Sequence, residues 1–228
     1  MARLEDLEKK LRIHFQNPHH IKEALTHRSY LNENPSWPFR HNERLEFLGD
    51  AVLELVVTEL LFEHYPDYQE GQLTGIRAAL VNYQMMGRIA REIDLEAYLY
   101  LSKGEAKDTG KAREVILANA IEAVLGAIYL DRGYKAAERV IRKLVMPHLK
   151  EVMEKHLYRD PKSVLQEKVQ EKFKVTPLYK VLSEKGPDHE KEFFVGVYFG
   201  SKLGGEGRGT SKQEAETKAA ESALNELS

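Results

Sequence analysis

The 228-residue chain has no cysteine, one tryptophan, eight prolines and almost no surplus of either charge. Without cysteine there is no disulfide framework, no thiolate zinc site and no cysteine nucleophile. No apolar run approaches the roughly 20 residues that span a bilayer. The N-terminus, Met1-Ala2-Arg3-Leu4-Glu5-Asp6, is charged too early for a secretory signal. The expectation is a soluble cytoplasmic protein. Lys and Arg number 34 against 36 Asp and Glu, a formal net charge of −2, whereas a generally basic nucleic-acid binder carries an excess of cations.

What is present divides the chain in two. Residues 3 to about 157 read as helix after helix, beginning with Leu4, Leu7 and Leu11 near a 3.6-residue period. A long segment from Glu43 stops at Pro66, another runs from Arg113 to the turn Asp131-Arg132-Gly133, and a third spans Lys135 to His156 with a kink expected at Pro147. Beyond Arg159-Asp160-Pro161 the pattern changes. Ser163 to Phe173 suits a short helix; Leu178 to Ser183 and Phe193 to Phe199 alternate as strands do. Gly204, Gly205, Gly207 and Gly209 read as a tight turn, and the closing helix has a stripe of Ala215, Ala219, Ala223 and Leu227. The expected organisation is an all-α domain over 1–150, a linker over 151–160 and a small α+β module over 161–228.

Glu43-Arg44-Leu45-Glu46-Phe47-Leu48-Gly49-Asp50-Ala51-Val52-Leu53-Glu54 is the most informative segment. On a helix, Glu46, Asp50 and Glu54 share a face, with Glu43 one turn earlier, and like charges so placed repel. The bland explanation is a solvated acidic stripe. The apolar neighbours argue instead that the carboxylates border a packed interior. Gly49 inside a helix costs roughly 1 kcal/mol against Ala, which points to a backbone or ligand approaching closely there. From Val115 to Leu130 the only charge is Glu122 and the only amide Asn119, spaced i, i+3. A lone carboxylate in such a setting is paired, protonated or bound to a cation. Oxygen donors on two helices suit a hard cation such as Mg²⁺; a salt bridge to Arg or Lys is the structural alternative.

Other chemistries lack their signatures. No histidine follows a glutamate by three residues, as a ferritin-like di-iron bundle requires, and there is no His-Glu-x-x-His or Gly-x-Ser-x-Gly. His27 reads as a hydrogen-bonding structural residue. The glycines before Thr210 do not make a phosphate loop, since no Lys follows Gly209.

The segment Glu43 to Ala51 resembles the signature of bacterial ribonuclease III. Ala24-Leu25-Thr26-His27-Arg28-Ser29-Tyr30, Glu70-Gly71-Gln72-Leu73-Thr74 and Glu122 to Asp131 resemble its other blocks, in order. Leu165-Gln166-Glu167, Gly186-Pro187-Asp188-His189 and Gly207-Arg208-Gly209-Thr210-Ser211-Lys212 resemble its double-stranded RNA-binding domain. The resemblance implies an all-α endonuclease domain followed by a small α+β (α-β-β-β-α) RNA-binding domain. It implies a homodimer that cleaves double-stranded RNA with Mg²⁺, or Mn²⁺ in its place. The products are 5′-phosphate and 3′-hydroxyl ends with short 3′ overhangs, made in ribosomal and messenger RNA processing.

Carried over by position, Glu46, Asp50 and Glu122 fall on the family's acidic metal positions, with Asp50 and Glu122 catalytic. The fourth position, normally Asp, is Asn119, whose amide oxygen can coordinate Mg²⁺ without contributing charge. That departure opens an alternative: a double-stranded RNA-binding protein with impaired or no cleavage. Glu43 and Glu70 occupy acidic positions near the family's cleft, and Phe47 and Gly49 suit its dimer contact. For RNA, the resemblance implicates Gln166, Gln170, Pro187 and His189 in reading grooves, and Thr210, Ser211, Lys212 and Lys218 in holding phosphates.

Overall fold

In the computed structural model, which describes residues 3–107, 109–186 and 191–227, the chain forms two compact units that divide between Tyr158 and Arg159. The first is helical: α1 (Leu4–Leu11), α2 (Pro18–Ala24), α3 (Arg28–Glu33), α4 (Glu43–His64), α5 (Glu70–Val81), α6 (Tyr83–Glu92), α7 (Lys111–Arg132), α8 (Tyr134–Leu144) and α9 (Leu149–Glu154). The two 22-residue helices, α4 and α7, are its centre. Leu53, Val56, Val57 and Leu61 of α4 and Leu117, Ile121, Val124 and Ile128 of α7 are fully or almost fully buried. Each such side chain contributes about 1.5–3 kcal/mol of burial.

Local chemistry sets the helix ends. Pro18 opens α2, where a missing N–H costs nothing, and the Asn17 side chain accepts from His19 N. The Asp131 carboxylate accepts from the backbone N–H groups of Gln16 and Asn17 at 2.8 and 2.7 Å, so the end of α7 anchors the entry to α2. His27 caps α3, accepting from Ser29 N at 3.3 Å. Pro147 lies in a short 3₁₀ turn, Met146–His148, which turns the expected kink into a break between α8 and α9. Leu149 and Val152 of α9 are buried in the helical core, so this unit continues past residue 150 into the stretch set aside as linker.

The second unit has the order α10 (Pro161–Phe173), β1 (Leu178–Lys185), β2 (Glu192–Phe199), β3 (Lys202–Gly209) and α11 (Lys212–Leu227), with one antiparallel sheet ordered β1-β2-β3. Asp160 caps α10 through Ser163 N at 3.2 Å, with Pro161 at its first position. The glycine-rich segment expected to be a turn is β3. The turn lies just before it, at Gly200 with φ 65°. The glycines of β3 serve close packing. A Cβ on Gly205 would stand 2.6 Å from Ala223 N and 2.7 Å from Ala219 O, so α11 lies directly on the strand backbone. Leu165, Val169, Val195, Val197 and the alanines Ala215, Ala219, Ala220 and Ala223 close this smaller core.

Candidate functional site

Two glycines bring the acidic helices together. A Cβ on Gly49 would lie 2.6 Å from the carbonyl carbon of Glu122, 2.8 Å from Gly126 N and closer still to the Glu122 carbonyl oxygen. One on Gly126 would lie 3.1 Å from Gly49 N and closer to the Leu45 carbonyl oxygen. Helices α4 and α7 therefore cross backbone to backbone, which hydrogen at both Cα positions alone permits. Gly49 serves this intrachain crossing and is buried, which removes it from the expected dimer contact. Gly126 was not singled out from sequence; its signal was a glycine four residues after Glu122 inside an apolar helix.

The crossing sets Glu46 and Asp50 of α4 beside Glu122 of α7. Burial pushes the Glu122 carboxyl up to about 8, reinforced by the negative charge of Asp50 and then of Glu46. Burial also raises Glu46, with Glu43 and Asp50 adding to the effect. Among the described residues, no cation is paired with Glu46, Asp50 or Glu122, so the salt-bridge alternative is not realised. Asn119 stands one turn before Glu122 and is half-buried. Glu54, the last of the acidic stripe, is separate: Arg77 holds it at 2.7 Å.

Glu122 and its charged neighbours Asp50 and Glu46 are all carboxylates, oxygen donors whose shared negative charge is what a hard divalent cation relieves. The residue types suit such an ion, but among the described residues no group of three or more His, Cys, Asp or Glu side chains that could hold a metal ion is formed as the side chains stand. Glu43 is drawn outward, 3.4 Å from Arg28 and 3.7 Å from His41. Glu70 is not brought to this cluster within the chain. At the start of α5 it accepts from Thr74 Oγ1 at 3.3 Å and lines a separate pocket with Thr58, Phe62 and Arg77. Phe47 is 82% exposed on α4, so it is not a core aromatic.

In the second unit, Gln166 and Gln170 share one face of α10 and line an open groove with Ser163 and Lys174. Pro187 and His189 lie outside the described residues. At the start of α11 the expected phosphate ligands are already engaged. Glu214 accepts from Thr210 N and Thr210 Oγ1, both at 2.8 Å, and from Lys218 Nζ at 2.8 Å, while Ser211 Oγ accepts from Glu214 N at 3.1 Å. Lys218 and Thr210 hold the Glu214 carboxyl down at about 2. Lys212 meets Glu184 at 3.3 Å. Glu214 and Glu184 were not foreseen as partners of these cations, although the i, i+4 spacing of Glu214 and Lys218 carried the signal.

Residues 17–149 match the family model described as Ribonuclease-III-like, and residues 161–227 match the double-stranded RNA binding motif. A curated protein of Dehalococcoides mccartyi named Ribonuclease 3 is 44% identical over 227 residues, covering 100% of this chain and 96% of its own. One of Carboxydothermus hydrogenoformans with the same name is 45% identical over 224 residues, covering 98% and 95%. Among solved structures, the nuclease domain of ribonuclease III from Campylobacter jejuni aligns at 39% identity with a TM-score of 0.58. That match covers 64% of this chain and 97% of the other. With both domains matched in order and relatives aligned end to end, this chain belongs to the ribonuclease III family.

Proposed function

We propose that this protein is a Mg²⁺-dependent endoribonuclease that cleaves double-stranded RNA as a homodimer, leaving 5′-phosphate and 3′-hydroxyl ends with short 3′ overhangs. Its setting is the cytoplasm and its substrates are ribosomal and messenger RNA precursors; Mn²⁺ substitutes for Mg²⁺. The observation that carries the reading is the half-buried Glu122, without a cation of its own, facing Asp50 and Glu46 across a glycine-to-glycine helix crossing.

Glu46, Asp50, Asn119 and Glu122 are the residues that would hold the ion, which when bound would supply a nucleophilic water at neutral pH and offset charge developing on the phosphate. Asp50 and Glu122 would orient the attacking water, and the rigidity of the crossing keeps these two side chains in place. Asn119 supplies an oxygen without charge, which weakens the hold on the ion. In the second domain, Gln166 and Gln170 offer donors and acceptors to 2′-hydroxyls, and Lys212 and Lys218 exchange their carboxylate partners for phosphates. Pro187 and His189 are assigned to the groove-facing loop. Phe47 is the dimer anchor. It lies beside a concavity lined by Glu23, Arg44, Leu45, Leu48 and Leu130, and the exposed Leu55 and Phe62 continue the apolar stripe along α4. Glu43 and Glu70 line the cleft.

The test is cleavage of duplex RNA over a Mg²⁺ titration, with Glu122→Gln and Asn119→Asp in parallel. The expected result is cleavage by the unaltered chain, loss in Glu122→Gln with duplex binding retained, and half-saturation at lower Mg²⁺ in Asn119→Asp. Binding without cleavage at every Mg²⁺ concentration would make this a double-stranded RNA-binding protein that does not cut, the outcome that Asn119 motivates. Cleavage that survives Glu122→Gln overturns the site.

A further inference from the structure

Helix α8 has two unlike faces. Ala136, Ala137, Val140 and Ile141 are buried, while Lys135, Arg139, Arg142 and Lys143 follow one another at four-, three- and one-residue steps along the exposed side. Arg12 joins them from the end of α1. It is held in the left-handed region at φ 56°, where its N–H closes that helix. Together Arg12, Arg139, Arg142 and Lys143 rim a groove whose floor is Leu11, Ile13 and Val140, and among the described residues no carboxylate lines it.

The cations of this rim are poorly neutralised. Lys143 Nζ donates to the Lys10 carbonyl oxygen, which satisfies a hydrogen bond and leaves the charge. Arg142 reaches Glu138 at 3.4 Å, but Lys135 holds the same carboxylate at 2.9 Å. Among the described residues, Arg12 and Arg139 have no carboxylate within ion-pair distance. Folding alone gives no reason to gather four cations around an apolar floor in a chain of net charge −2, since like charges in a low-dielectric concavity repel and concentrate the field outward.

We propose that this groove holds the phosphate backbone of duplex RNA, as a contact of the nuclease domain separate from the cut site and from the second domain. The inference rests on the double-stranded RNA reading above. From Arg139 to Lys143 the rim cations of α8 span about 6 Å along the helix, and Arg12 adds a further cation from the end of α1, so the rim offers more than one phosphate a partner. Guanidinium groups, three of the four rim cations, present forked donors that match phosphate oxygens. None of the residues lining the groove belongs to the carboxylate cluster of Glu46, Asp50 and Glu122, so the groove is a site apart from the one assigned to cutting.

The test uses the full chain with Arg12→Gln/Arg139→Gln and Arg12→Glu/Arg139→Glu, and Lys150→Gln as a control for loss of a surface cation elsewhere on the same domain. Duplex affinity is measured in chelator over a salt series, and cleavage is measured in Mg²⁺. Each lost phosphate contact lowers the log K against log salt slope by about 0.9, so the double Gln variant should lose close to two contacts' worth. The double Glu variant should bind at least about tenfold more weakly at low salt. KM should rise and kcat at saturating RNA should stay the same. Slopes and affinities equal to the Lys150→Gln control overturn the proposal. So does a groove that answers only to inorganic phosphate, seen as a phosphate-dependent rise in melting temperature that the variants lose while their RNA binding is intact. If the unaltered chain binds no duplex, the functional reading falls first and the groove's role with it. A failure confined to the variants leaves that reading standing.

Discussion

Replacing Gly49 with alanine should damage this protein in a way helix propensity alone predicts with the opposite sign. In an isolated helix the change is favourable by about 1 kcal/mol. Here the new methyl would sit 2.6 Å from the Glu122 carbonyl carbon and closer to its oxygen. Ordinary carbon contacts need about 3.5–4.0 Å, so α4 and α7 must part by about 1 Å. No side chain can rotate out of the way, because the obstacle is main chain. Overpacking of this kind costs about 1–3 kcal/mol, occasionally more. Taking the upper end and subtracting the propensity gain leaves a loss of about 2 kcal/mol, or a fall in melting temperature of roughly 4–8 °C for a unit of this size. The consequence for cleavage should be larger than the loss of stability. A 1 Å misplacement of catalytic groups costs on the order of 10²-fold, and this one separates Asp50 from Glu122. Circular dichroism melting reports the first effect, and single-turnover cleavage at saturating Mg²⁺, well below both melting temperatures, reports the second. A Gly49→Ala protein that melts higher and cuts at the normal rate refutes the crossing as the device that assembles the site.

Three further outcomes can be checked. In chelator, Glu122 binds a proton in the folded protein up to about pH 8 that the unfolded chain releases near 4.5. The linked stability is thus complete below the lower value and lost as pH climbs through the higher, by a few kcal/mol at most. Glu122→Gln should flatten the melting temperature against pH between 5 and 8 relative to the unaltered protein, and an unchanged difference across that range counts against the burial of this carboxylate. Phe47→Ala should leave monomer stability within about 0.5 kcal/mol yet weaken self-association roughly 10²–10⁴-fold, since two rings each lose about 1.5–3 kcal/mol of burial; sedimentation that still gives the parent dimer contradicts the anchor. Gly207→Ala puts a methyl 2.7 Å from the Lys218 carbonyl carbon and nearer still to Ala215 and Ala219 backbone. It should unfold the second unit and weaken duplex binding while the helical unit melts as before, and a second unit that melts as in the unaltered protein would show that α11 does not lie on β3 as described.

The sequence made some features legible and hid others for physical reasons. Long helices announced themselves through Leu- and Val-rich periodicity and through Pro66 and Gly133, whose backbone chemistry acts locally. Gly49 was legible as a close approach, because a glycine inside a helix carries a cost that something must offset. What approached it was not, since helical spacing says nothing of the neighbouring helix, and Gly126 passed as one more small residue in an apolar run. Strand β3 was misread for the same kind of reason. Glycine disfavours strands by local propensity, and only the contact with Ala215, Ala219 and Ala223 explains why bulkier residues are absent. The pairing of Lys212 with Glu184 is hidden because the two lie on different elements that only the fold brings together, whereas the i, i+4 spacing of Glu214 and Lys218 is legible.

Glu214 has a consequence for how RNA is found. With Thr210 and Lys218 already satisfied by its carboxylate, the start of α11 is not a bare cationic trap, and passing anions such as nucleotides or single phosphates gain little by displacing a tethered competitor whose local concentration they cannot match. On the RNA contacts proposed above, a duplex can, because its phosphates would arrive together with the contacts assigned to Gln166 and Gln170 along α10. Under that proposal the second domain trades strength at one point for a requirement of simultaneous engagement, and RNA that fails to reach both helices would be released quickly.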